Sequence, residues 1–418
     1  MTDLVAGAGV DLSPALGRLV VADDGDGYVI GRPDLGVYVV VPHPGAVLVQ
    51  ALQAGEPVAV ATARASDAAG APVDGEEFLA GLAAAGLLAP PGGPDAAAAG
   101  SGDGALPAGR EIRWIAGVSP AVARRLFGPV AWAGYALAAG FAVAALVAGP
   151  GLWPSYEHIW WLPDPVLSVL ALVPVTVALG ACHEAWHWLA GRAVGVPAIF
   201  RISYRGIFLV FETDLTQIVT TARRKRYGPF LAGMAFDVVT VAVALGLRLA
   251  HHHGLLVLPG WADRLLAAII LFQVIGIIWQ WAALVMRSDG YAVLANAMRC
   301  HDLYRATWLV SKQRLWRLTG AETAELSGIS DHDRRVACWF GLFFLAGVIG
   351  MGWMAVSYAV PFLIAMIGWV GHSLTHPALT SLAFWEAVAV TVVVVGQYAA
   401  IPALAWRERR LRLRGALR

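Results

Sequence analysis

Charge is scarce in this sequence. Only 14% of its 418 residues are Asp, Glu, Lys or Arg, against about 25% in an ordinary soluble domain. With 58% hydrophobic residues, the chain is excluded as a simple water-soluble globule and reads as a membrane protein. Net charge is equally small, at +1, which leaves no global attraction to nucleic acid or to an acidic partner. Cysteine is nearly missing: Cys182, Cys300 and Cys338 are too few and too scattered for a disulfide framework. A secretory signal is lacking as well, because residues 1–30 hold several aspartates and no uninterrupted apolar core. The first segment is therefore expected to stay in the cytosol.

What is present divides the chain in three. Residues 1–88 read as a small soluble α+β domain. Strands are expected at Tyr28–Arg32 and Gly36–Val41, turning at Pro33-Asp34-Leu35, followed by helices at Ala46–Ala54, Pro57–Ser66 and Gly75–Leu88. Residues 89–109, mostly Pro, Gly, Ala and Ser, have almost nothing to bury and read as a flexible linker. Residues 110–418 form a polytopic, mostly α-helical bundle. Apolar stretches long enough to span a bilayer fall at Phe127–Trp153, Pro165–Ala190, Tyr227–Leu249, Leu265–Met286 and Phe384–Trp406. Val336–Val370 is too long for one simple span and reads as one span plus a partial piece kinked at Pro361.

Loop charge orients these spans. Basic clusters precede the first span (Arg110, Arg113, Arg124, Arg125) and the third (Arg223–Arg226). Others follow the fourth span (from Arg299 to Arg335) and the last (Arg407 to Arg414). The opposite loops, 154–161, 251–264 and 371–382, hold only Arg264. Six spans with both termini in the cytosol satisfy every cluster.

Chemistry concentrates at Cys182-His183-Glu184-Ala185-Trp186-His187-Trp188. Positions i and i+4 share a helix face, so His183 and His187 can hold one zinc ion, with Glu184 beside them as a base for water. Ionisable groups in an apolar span are costly and usually functional. Two histidines leave a catalytic zinc one protein ligand short. Asp289, at the cytosolic end of the fourth span, is the best third ligand, since the second and fourth spans run the same way. A cap beside Arg287 is its other reading. Asp237, early in the third span, is a second unusual acid that either orients a ligand, binds substrate or is solvated at the interface. Glu212 and Asp214 follow an alternating stretch, Ala198–Phe211, that reads as a hairpin turning at Arg205-Gly206. They either serve an extended peptide at a strand edge or sit in a plain loop. His251–His253 with His372 and His376 suggest a di-iron oxygenase, but the topology sets them opposite His187.

These residues resemble the site-2 protease family of intramembrane zinc metalloproteases. The likeness rests on His183-Glu184-x-x-His187, on Ala232-Gly233 with Asp237 four residues on, and on Asp289-Gly290, and covers about residues 160–300. Met234 and Asp237 stand where that family usually has proline and asparagine. Asp289-Gly290-Tyr291 is closer to the peptide-processing branch found in ribosomal-peptide biosynthesis. The resemblance implies His183, His187 and Asp289 on Zn2+, Glu184 as base, and a bacterial plasma membrane as the setting. It also implies a peptide or protein substrate. The N-terminal segment looks like the winged-helix-like leader-peptide recognition domains of those pathways, making a leader peptide a candidate partner. A reading in another class is a non-proteolytic peptide-binding, export or immunity protein with a vestigial site.

Overall fold

The computed structural model describes residues 13–88 and 118–413, apart from 26, 34, 197, 206–207, 283, 285–286, 301, 355 and 357–359. The expected linker, 89–109, lies outside the described residues. After one turn of helix, α1 (Ser13–Leu16), come three antiparallel strands, β1 (Val20–Asp23), β2 (Tyr28–Arg32) and β3 (Val37–Val41), in the order β1-β2-β3. Helices α2 (His43–Gln53), α3 (Val58–Ala69) and α4 (Gly75–Ala84) follow. Ile30, Leu48, Val49, Leu79 and Leu87 are buried together as the core of this unit. Asp74 caps α4 by accepting from the N–H groups of Glu76 and Glu77, which satisfies two of the donors every helix start leaves unpaired. The strand β1 was not expected. It is four residues long and runs straight into Asp23-Asp24-Gly25-Asp26, so it shows no alternation long enough to read.

The second part is helical, apart from one hairpin. Its elements are α5 (Pro120–Leu126), α6 (Pro129–Ala148), α7 (Pro165–Ala193), β4 (Ile199–Arg205), β5 (Phe208–Asp214), α8 (Arg223–His252) and α9 (Gly260–Ala282). After these come α10 (Asp289–Ala297), α11 (Leu303–Leu315), α12 (Gly320–Gly328), α13 (Asp331–Met354), α14 (Val360–Thr375) and α15 (Leu382–Leu413). Five helices among the described residues are long and apolar enough to cross a membrane: α5 with α6, then α7, α8, α9 and α13. The sixth expected span falls in α15, whose apolar described part, Leu382–Gly396, is shorter. The long apolar region after residue 336 forms two helices, with Pro361 in the first turn of the second.

Helix α8 is the centre. Half of its most apolar stretch is buried within the protein, against 11% for α7. It packs on α6, α7, α9 and α10, with Val241, Ala244 and Leu245 meeting Ala142, Ala145 and Ile270. The hairpin β4–β5 is antiparallel, with Arg205 opposite Phe208. It lies against α7 through Phe200, Ala198 and Trp188.

Candidate metal centre

Two helices bring the expected ligands together. His183 and His187 stand one turn apart on α7, and Asp289 opens α10. His187 Nε2 lies 3.2 Å from His183 Nε2. Asp289 Oδ2 lies 3.1 Å from the first histidine's Nε2 and 3.0 Å from the second's.

The other ring nitrogens fix the tautomers. His187 Nδ1 donates to the carbonyl of Pro229 at 2.6 Å, and His183 Nδ1 donates to Asp237 Oδ2 at 2.9 Å. A neutral imidazole that donates through Nδ1 carries its lone pair on Nε2. Two lone pairs and a carboxylate oxygen thus converge on one point. Three acceptors in that arrangement repel one another unless a cation sits among them. Their separations are close to the edge, about 3.3 Å, of a tetrahedron with zinc–ligand bonds of 2.0–2.1 Å. The residues present therefore fit a metal ion, and two imidazoles with one carboxylate are a donor set that zinc accepts.

Asp237 is a positioning residue. Its second oxygen, Oδ1, accepts from Gln273 Nε2 of α9 at 3.0 Å, so the carboxylate is held at both ends. Those contacts set Asp237 against the His183 ring, and it also lines the cavity between α7 and α9. Gly233, one turn earlier on α8, faces the histidines so closely that a Cβ there would overlap Nε2 of both.

Asp289 reaches the site through a sharp turn. Arg287 takes a left-handed conformation (φ 53°), which costs a non-glycine residue about 1–2 kcal/mol. Ser288 Oγ donates to the Gln280 carbonyl at 2.7 Å, and the Asp289 N–H donates to Gln280 Oε1 at 3.1 Å. Gly290 sits where any Cβ would strike that same carbonyl. Asp289 thus opens α10 while its carboxylate meets the two histidines, pinned to the end of α9.

Glu184 projects beside the cluster. Its Oε2 accepts from the Thr213 N–H of β5 at 2.9 Å, and Thr213 Oγ1 donates to the Glu184 carbonyl at 2.7 Å. A cavity of about 360 Å³ opens between α7 and α9, walled by His183, Glu184, Phe211, Asp237, Gln273 and Gln280 among others. A carboxylate, the cluster of possible metal ligands and a cavity therefore share one space.

The remaining expectations separate from this centre. Asp214 Oδ1 accepts from the N–H and hydroxyl of Thr216 at 2.9 and 2.5 Å, so it shapes the turn after β5. Glu212 pairs with Arg201 in the hairpin register, and its side chain lies outside the described residues. His251 is fourteen residues beyond Asp237 on α8, about 21 Å along the axis. Neither it nor His252, His253, His372 or His376 joins a ligand group among the described residues. A second group does form, from Cys300, His332 and Asp333, with ligand atoms within 4.8 Å of one another. Burial and the nearby Asp333 push the Cys300 thiol up to about 12, and His332 Nε2 is spent on the Met298 carbonyl at 2.8 Å.

Sequence reasoning missed Gln273 and Gln280. Their signal was available: two amides seven residues apart in an otherwise apolar span share a helix face. Thr213 and the Pro229 carbonyl carry no such signal, because a main-chain group has no residue type.

The chain matches no family model, no curated protein and no solved structure.

Proposed function

We propose that this protein is a membrane-embedded zinc metalloprotease of site-2 protease type. It hydrolyses a peptide bond in a peptide precursor or membrane-associated substrate near the cytosolic face. The observation that carries this reading is the convergence of His183 Nε2, His187 Nε2 and Asp289 Oδ2 at 3.0–3.2 Å, with Glu184 lining the adjoining cavity.

His183, His187 and Asp289 would hold the zinc, which when bound supplies a Lewis acid that polarises a carbonyl and lowers the pKa of water. Glu184 takes one proton from the attacking water as its oxygen adds to the scissile carbonyl carbon. The same carboxyl returns that proton to the departing nitrogen as the C–N bond breaks, leaving a carboxylic acid and an amine, which exchange the remaining proton to become carboxylate and ammonium. Thr213 holds Glu184 through Oε2, so the base meets the reacting carbonyl in one orientation. Asp237 keeps the His183 ring turned so that Nε2, not Nδ1, faces the centre.

The remaining parts of the reading are architectural. The bundle crosses a bacterial plasma membrane six times, α15 supplying the sixth span, with both termini in the cytosol. The N-terminal unit, residues 1–88, is winged-helix-like and catches a leader peptide.

Glu184→Gln in the full chain tests the assignment. Zinc is expected to stay stoichiometric by metal analysis while cleavage falls by about 10²–10⁴-fold, the usual worth of a general base. Uncut precursor peptides then accumulate in cells carrying the variant. Cleavage at the wild-type rate overturns the reading.

A further inference from the structure

A second cavity, of about 460 Å³, lies on the other side of α7 and α8 from the catalytic one. Arg124, Arg224 and Lys225 line it, together with the aromatic rings of Phe127 and Trp132. Ala190, Ala193 and Pro229 close the floor. No acidic side chain lines it. Among the described residues, neither Arg124, Arg224 nor Lys225 has a carboxylate partner, and all three are exposed.

The basic run at the start of α8 shows how this comes about. Arg223 and Arg226, three apart, share one face and both pair with Asp24 at 2.5 Å. Arg224 and Lys225 fall on the other face, and it is these two that turn to the cavity. The run thus divides its four charges: two are matched by an internal acid, and two are left beside Arg124 over a hollow. Basic residues commonly flank spans, but a flank needs no concavity and no aromatic wall. A hollow with three unmatched cations at the end of apolar helices has the chemistry of an anion site at the membrane surface.

We infer that this cavity binds the phosphate of an anionic phospholipid headgroup, with Arg124, Arg224 and Lys225 as its counter-charges. The phosphate belongs to a lipid, because Arg124 and Arg125 at the end of α5, Arg192 in the last turn of α7 and Arg223–Arg226 at the start of α8 gather at the ends of helices apolar enough to span. The inference rests on the membrane reading and is independent of proteolysis. The site also touches the metal centre's supports. Pro229, in the cavity floor, gives its carbonyl to His187. Trp132 packs on Tyr135 with ring centroids 5.3 Å apart, and the Tyr135 hydroxyl accepts from Trp186 Nε1, inside the His-Glu-x-x-His turn, at 3.2 Å. A bound headgroup therefore braces α7, which carries both histidines, against α8, which holds their rings.

The test uses the purified full chain in neutral detergent. Thermal unfolding is followed with dioleoylphosphatidylglycerol, dioleoylphosphatidylcholine or inorganic phosphate added at equal concentration. Native mass spectrometry counts the lipid retained. Phosphatidylglycerol is expected to raise the melting temperature and stay bound, and the other two additions to do neither. Each cation removed is expected to weaken retention about fivefold, so the variant Arg124→Gln, Arg224→Gln, Lys225→Gln loses the stabilisation. A control carrying Arg18→Gln, Arg64→Gln and Arg317→Gln keeps it. If the triple variant does not fold, the single variants are read by retained lipid alone, and undiminished retention overturns the inference. An equal response of the cavity and control variants also overturns it, as does stabilisation by inorganic phosphate alone.

Discussion

Asp237 spends both carboxylate oxygens on neighbours, one on the His183 ring and one on Gln273. Removing it should free the ring to rotate and to change tautomer. Asp237→Ala is therefore expected to lower zinc affinity by about 10–100-fold, the usual effect of losing a partner behind a metal ligand. Competition with a chelator of known affinity measures it, and unchanged affinity would show that the ring is held by packing alone. The legibility of the site varies residue by residue for physical reasons. His183, Glu184 and His187 were readable because a helix fixes the geometry of i, i+1 and i+4. Asp289 was readable because alternating loop charge sets the depth at which each span ends. Asp237 was readable as an anomaly but not as a role, since its role depends on which face of α8 meets α7. The turn bonds of Asp214 were not readable, because its nearness in sequence to the hairpin says nothing of its preference for its own turn.

Helix α8 can approach α7 at the ligands only because residue 233 has no side chain. In Gly233→Ala the new methyl would overlap both Nε2 atoms, so the helices must separate or the rings must turn. Either outcome opens the ligand triangle. Metal analysis of the purified variant is expected to find zinc reduced at least tenfold, with the helical circular dichroism kept. Full zinc content would mean that α8 shifts without cost. At this scale the sequence overlooked where helices begin. Helix α8 starts at Arg223, not Tyr227, and α13 at Asp331, not Val336. Hydropathy sees the apolar run, whereas the backbone continues its hydrogen bonds into the charged residues that precede it. Strand β1 was missed for the opposite reason: it forms through pairing with β2, and four residues cannot announce that alone.

Among the described residues, a buried acid ties the two parts of the molecule together. Asp24, 2% exposed, leaves the N-terminal sheet to pair with Arg223 and Arg226 at the start of the site helix. Gln217 adds a weaker tie to the Pro33 carbonyl at 3.4 Å. Asn296 of α10 donates to the Arg223 carbonyl at 3.2 Å, so the docking point and the segment bearing Asp289 share a residue. Breaking a buried ion pair from one side leaves its partner uncompensated and costs about 3 kcal/mol or more. Asp24→Ala should therefore loosen the N-terminal unit from the bundle. Hydrogen exchange in β1 and β2 is expected to quicken by about a hundredfold, with the core of α8 unchanged. Equal protection in wild type and variant would show that the strands dock without the acid. None of this interface was legible beforehand, because it pairs residues about two hundred positions apart.

The two bonds between Thr213 and Glu184 carry a consequence for strand register. Side chains in a strand alternate faces, so a slip of one residue turns the whole edge over. Glu184 holds β5 against that slip through its carboxylate and its carbonyl together. A glutamine in its place keeps an oxygen for the Thr213 N–H, whereas an alanine removes the base and half of the latch at once. Loss of cleavage in Glu184→Ala would therefore mix two causes: a missing proton acceptor and a hairpin free to shift beside the cavity.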